Sequence, residues 1–141
     1  MTARSDAVTV VRRFNIAAEQ AFDAWLDPGR IAVWMVAPSP ADTVQRIELD
    51  PVVGGSFRFV VRRAGEDVAH VGRYLEKLRP TRLVFTWLVP KYSSQATRVT
   101  IEIVPLGSSS EVTLTHDGVP LEFAEATQGG WSAILAAMDQ P

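Results

Sequence analysis

The chain has 141 residues, 47% hydrophobic and 21% charged, with a formal net charge of −2 and no cysteine. That length suits one domain spanning 1–141 with a sizeable core, and the composition is globular rather than disordered. The mild acidity gives no electrostatic basis for holding nucleic acid or an anionic membrane surface. The absence of cysteine excludes disulfides, thiolate chemistry and cysteine–zinc sites, and suits a cytoplasmic protein.

The N-terminus "MTARSDAVTVVRR" has no apolar stretch of signal-peptide length. Oily runs such as "IAVWMVA" (31–37) fall far short of the ~20 residues of a membrane span. "VTVVRRF" (8–14) reads as a first strand. Ala18, Ala21, Phe22, Trp25 and Leu26 then fall on one helical face. "DP" at 27–28 stops that helix and starts another, because Asp27 can cap and Pro28 lacks an N–H that the first turn would leave unpaired anyway. The second helix carries Ile31, Trp34 and Met35 and ends at "APSP" (37–40).

From Val44 onward the texture is that of strands: 44–50, 56–63, 68–78, 81–89, 97–105 and 111–116. In "SFRFVVRR" (56–63), Phe57, Phe59 and Val61 alternate with Ser56, Arg58, Val60 and Arg62, the period of a strand with one oily face. Arg58, Arg62 and Arg63 read as a solvated basic face. The joins are short and rich in Pro, Gly, Ser and Asp, which predicts antiparallel neighbours, since a parallel return needs a crossover of about a dozen residues or more. "LEFAEATQGGWSAILAAMD" (121–139) returns to a helical rhythm through Trp131, Ile134, Leu135 and Met138. Gly129–Gly130 within it mark either a kink or a close approach of helix to sheet. The predicted fold class is α+β: about six to seven antiparallel strands, curved around a long C-terminal helix, with two short helices after the first strand.

No reactive constellation emerges. His70 and His116 lie on different strands without paired metal-ligand spacing, so no metal site and no cofactor is expected. The phosphate-cradling patterns GxxxxGK[ST] and GxGxxG are absent, as is the GxSxG nucleophile elbow. Glu48, Asp50 and Glu102 read as outward or turn residues, leaving no inward carboxylate pair.

Six segments, in order, carry a resemblance: "WMVAP" (34–38), "LDPVVGGSFRF" (49–59), "GRYLEKLRPTRLVFTW" (72–87), "VTIEIVPLG" (99–107), "VTLTH" (112–116) and "GGWSAIL" (129–135). Together they resemble the activator of heat-shock-protein-90 ATPase homologue-like family, within the START-like (SRPBCC) superfamily of helix-grip folds, from about Val8 to Met138. Two features depart from the pattern: Met35 stands where the family usually has Phe, and the final helix is somewhat short, which would leave one mouth of a cavity more open.

The resemblance implies a pocket between sheet and last helix, mainly apolar with a few placed polar groups. The aromatic residues Trp25, Trp34, Trp87, Trp131, Phe22, Phe57, Phe59, Phe85 and Phe123 fall largely on predicted inner faces. Trp25 and Phe22 read as core; Trp34, Phe57, Phe59, Trp87 and Trp131 are either solid core or cavity lining, the latter on the strength of the resemblance. His70 shares a face with Val68, Gly72 and Tyr74. Beside the room left by Gly72, His70 and Tyr74 either reach a guest or are a partly exposed histidine and a core tyrosine. His116 shares a face with Val112 and Leu114. It is either a ligand contact or general base, or a strand-end histidine bonded to backbone or water.

The leading expectation is binding of a small apolar or amphipathic ligand without catalysis. The alternatives are a polyketide cyclase or dehydratase-like enzyme, with His116, His70 and Tyr74 as candidate proton movers, and a co-chaperone-like interaction domain. A homodimer is left open.

Overall fold

The computed structural model describes residues 5–140. The elements run β1 (Ser5–Phe14), α1 (Ala18–Asp23), α2 (Pro28–Trp34), β2 (Thr43–Leu49), β3 (Ser56–Arg63), β4 (Glu66–Leu78), β5 (Arg82–Trp87), β6 (Thr97–Leu106), β7 (Ser109–Pro120), a 3-10 turn at Leu121–Phe123, and α3 (Ala124–Met138). The strands form one seven-stranded antiparallel sheet in the order β1-β7-β6-β5-β4-β3-β2. This is the predicted α+β arrangement.

Strands β2 to β7 follow one another as a meander, and β1 closes beside β7 at the far edge. The chain must therefore cross from the β1 edge to the β2 edge, and α1 and α2 make that crossing over the concave face. α1 packs on β6 and β7, α2 on β2 and α3. Asp27 starts α2 as expected, its Oδ1 accepting from the Gly29 N–H at 3.1 Å, with Pro28 in the first turn. Register breaks in β2 (Val44/Arg46) and β4 (Tyr74/Glu76) bend the sheet, since an extra residue on one strand sharpens its local twist.

The alternating pattern of β3 holds except at Val60: Phe57, Phe59 and Val61 are buried and Ser56, Arg58 and Arg62 are exposed, but Val60, expected on the outer face with them, is buried as well. Arg63 continues the inner set, not the basic outer spot. Its Nε and Nη2 both donate to Asp42 Oδ2, at 3.0 and 2.8 Å, and that carboxylate is almost wholly buried. Phe123 also departs from expectation. It belongs to the 3-10 turn and is 57% exposed, because the chain leaving β7 turns outward before α3 begins.

Apart from Ala124, which touches the core half-buried, it is the second half of α3 that packs. Residues from Ala124 to Gly130 are exposed or half-buried, whereas Trp131, Ile134, Leu135 and Met138 are buried. A Cβ at Gly129 or Gly130 would meet nothing, so these glycines mark no close approach to the sheet. The other end is pinned. Asp139 accepts from the Asn15 N–H at 2.8 Å and pairs with Arg12, and Arg30 donates to the carbonyls of Met138 and Gln140 at 3.0 and 3.2 Å. α3 thus covers β1 and β7. The concave face of β3–β5 is left mainly to side chains from α2 and from the turn between α1 and α2, and Trp131 of α3 reaches it beside Trp87, ring to ring at 5.3 Å.

Candidate functional site

Those side chains are aromatic. Trp34 on α2 donates its indole N–H to the Ala24 carbonyl at 2.9 Å, which fixes it against the end of α1. Trp25 lies 5.3 Å from it, ring to ring. Facing them from the sheet are Phe57 and Phe59, stacked at 4.7 Å, with Tyr74, Phe85 and Trp87 beside them. Edge-to-face contacts recur, as between Trp34 and Phe59 (88°) and between Phe57 and Phe85 (85°), the arrangement that ring quadrupoles favour.

At the centre of these seven residues is a void of about 10 Å³. That is room for roughly one water, against the ~300–1,000 Å³ of ordinary ligand pockets. The open hollow expected between sheet and last helix is therefore largely filled here, and what remains lies under α2 and the turn between α1 and α2. The reason is visible at Gly72. A Cβ there would overlap the Thr86 carbonyl oxygen and the Phe57 ring. The glycine does leave space, but the protein's own phenylalanine fills it.

Of the eight residues singled out as ligand contacts, Trp34, Phe57, Phe59, Tyr74 and Trp87 meet around the void; His70, His116 and Trp131 do not line it. Sequence reasoning treated Trp25 as plain core and left Phe85 out of the site, although both line the void. Trp25 carries the one buried side-chain nitrogen or oxygen without a hydrogen-bond partner among the described residues, its indole Nε1.

His70 is buried beside Trp87, with ring centroids 5.4 Å apart, and its Nδ1 lies 3.3 Å from the Phe59 carbonyl, which can only accept. Burial, with a smaller push from the Arg63 charge, lowers its pKa despite the backbone bonds that oppose them. Burial alone pushes the Tyr74 hydroxyl pKa up, so it stays a neutral phenol.

His116 is part of a closed relay. The Trp131 indole N–H can only donate, and it meets His116 Nδ1 at 3.0 Å. His116 Nε2 therefore carries the ring proton and donates to Thr97 Oγ1 at 2.6 Å. The Thr97 hydroxyl proton goes to the Trp87 carbonyl at 2.8 Å. Both ring nitrogens are engaged and the imidazole is held neutral. Burial pushes its pKa down to about 4, against a weak opposing pull from Asp117. Thr97 was missed in the sequence. The available signal was a polar residue at the head of the inner-facing series Val99, Ile101 and Ile103.

No three acidic or histidine side chains gather as a metal site among the described residues. No helix there is long and apolar enough to cross a membrane.

The profile of the family described as Activator of Hsp90 ATPase homolog 1-like protein matches residues 15–140. The chain belongs to this family. The match begins at Asn15, directly after β1, so it takes in both helices of the crossing, the whole meander and α3. Among solved structures, protein CV1439 from Chromobacterium violaceum superposes with a TM-score of 0.85 at 24% identity, covering 94% of each chain. Protein NE0264 from Nitrosomonas europaea gives 0.80 at 20% identity, covering 94% of this chain and 91% of its own. The solution structure of an AHSA1-like protein from Aeromonas hydrophila gives 0.78 at 22% identity, over 95% of this chain and 90% of its own. These likenesses establish the Activator of Hsp90 ATPase homolog 1-like fold. A comparison with curated proteins finds none that matches this chain.

Proposed function

We propose that this domain binds a small, mostly apolar molecule in the aromatic cage between β3–β5 and the α1–α2 pair, and performs no chemistry on it. The observation that supports this is the void itself, ringed by seven aromatic residues whose rings can stack on a flat guest. A guest larger than a water requires the cage to open. Trp87 is the wall that moves: it is half-buried, while the other six lining residues are buried. Turning it outward exposes on the order of 100 Å² of further apolar surface, or about 2.5 kcal/mol at ~25 cal/mol per Å². The open form is then about 1–2% populated at rest, and a guest that reburies the same surface recovers the cost.

Catalysis has less support. His116 has both ring nitrogens bonded within the protein, and the buried Tyr74 holds its proton. A docking role of the kind the family's description suggests also has little support, because the exposed apolar side chains are spread over β1, α2, β4, β6 and several loops.

The test is thermal denaturation of the wild type and of Trp87→Ala with a panel of neutral polycyclic aromatics, fatty acids and polyketide-like phenols. At least one class should stabilise saturably, by about 2.7 kcal/mol at a hundredfold excess over Kd. Trp87→Ala should bind that class more tightly, because its cage no longer has a door to open. No stabilisation of either protein across the panel overturns the reading.

A further inference from the structure

We infer that the molecule this cage accepts is a flat, uncharged compound bearing a hydrogen-bond acceptor, of the aryl ketone or quinone class, whose carbonyl oxygen is held by the Trp25 indole N–H and the Tyr74 hydroxyl. The inference rests on the binding reading above and narrows it.

Trp25 is 2% exposed, and its Nε1 has no partner among the described residues. Two other tryptophans show the usual outcome: Trp34 donates to the Ala24 carbonyl and Trp131 to His116. Buried polar groups are nearly always paired, because a desolvated donor has lost its bond to water and gained nothing. The unpaired N–H belongs to a side chain that lines the void, so a guest seated against that side chain can bring an acceptor to it. Tyr74 lines the same void, and burial keeps its hydroxyl protonated, hence able to donate.

The charge of the guest follows from the same groups. Aromatic cages elsewhere take quaternary ammonium ions on their ring faces. Here the lining includes no carboxylate, and its donor-only polar atoms, the indole N–H groups of Trp25, Trp34 and Trp87, present protons, which repel a cation. It includes no basic group either, so a buried carboxylate guest would lack a counter-charge. A neutral acceptor satisfies the donors without burying charge. Flatness follows from the walls, all seven of which are aromatic rings.

The experiment uses a matched pair, 2-acetonaphthone and 2-ethylnaphthalene, which differ in shape little more than by a carbonyl in place of a methylene. Dissociation constants are measured for both on the wild type and on Trp25→Phe. The ratio of the two affinities cancels the difference in their hydrophobicity and the extra space the variant opens. The ketone's relative affinity should drop about tenfold in Trp25→Phe, the usual scale for one buried hydrogen bond. In the wild type, the Trp25 indole N–H resonance, assigned by its NOEs to the neighbouring Trp34 and Phe85 rings, should move downfield with the ketone and not with the hydrocarbon. If Trp25→Phe does not fold, that resonance decides alone. Equal ratios, or an indole signal indifferent to the ketone, overturn this inference and leave the binding reading standing. Failure of both probes to bind, leaving the void to a water, while the wider panel also fails, overturns both.

Discussion

Lowering the pH should weaken this fold through His116. In the folded chain the imidazole receives the Trp131 N–H and donates to Thr97, so a second proton has nowhere to go without placing N–H against N–H. Burial itself, against a small opposing pull from Asp117, brings the pKa from 6.5 to about 4. The unfolded chain has neither constraint and titrates near the ordinary value. Between those two values the unfolded state holds a proton that the folded state refuses, so stability is fully present above about pH 6.5 and drains away as pH falls toward about pH 4. A shift of that size is worth about 3 kcal/mol in total, of which about 2 kcal/mol is already lost at about pH 5.

Urea denaturation at about pH 7 and about pH 5 measures this, with His116→Gln as the comparison. Glutamine offers one acceptor and one donor but does not titrate in that range. His70, whose pKa is also lowered by burial, contributes in the same direction in both proteins and cancels. Asp23, held below its ordinary 3.8 by the Arg79 hydrogen bond, acts only at lower pH. The wild type should lose about 2 kcal/mol more than His116→Gln over this interval. Equal losses would refute the locked, neutral imidazole.

Three further outcomes follow from particular contacts. Thr97→Val removes the acceptor of the His116 N–H and should cost about 1–3 kcal/mol at neutral pH, read as a lower urea midpoint with an unchanged slope. Gly72→Ala must relieve overlaps with both the Thr86 backbone carbonyl and the Phe57 ring, so a drop of several degrees in Tm, or loss of folding, is expected; a wild-type Tm would contradict the filled cage. Gly129→Ala and Gly130→Ala should each stabilise by about 1 kcal/mol, since the new methyl meets nothing and the helix gains propensity; destabilisation of either would mean that α3 is not regular there.

Much of the fold was legible because periodicity reports burial, and burial was one-sided. The alternation in 56–63 named the inner face of β3 correctly, and the Asp27–Pro28 pair placed the break between α1 and α2. Alternation says which face is dry but not how well that face is filled. Gly72 is the instructive case: a missing side chain reads as room in the sequence, yet Phe57, its cross-strand partner in the register, takes that room. Arg63 misled for a related reason. Its position on the inner face was implied by the same alternation, but a charge at a strand end reads as solvated until Asp42, from the loop before β2, is seen buried against it. The relay around His116 was beyond reach, since its members come from β5, β6, β7 and α3, brought together only by the sheet order.

That relay also bears on how the cage would open. It ends on the backbone carbonyl of Trp87 and leaves the indole unrestrained by it. The strand carrying the door is pinned through Thr97 and His116 to Trp131 on the buried half of α3, and α3 itself is anchored at its end by Arg12, Asn15 and Arg30. Withdrawing α3 would break those bonds and expose Trp131, Ile134, Leu135 and Met138, each a loss of about 1.5–3 kcal/mol or more. Turning the half-buried Trp87 ring outward breaks none of them. The lower-cost opening is therefore a rotation of one side chain on a fixed strand, with the terminal helix left in place.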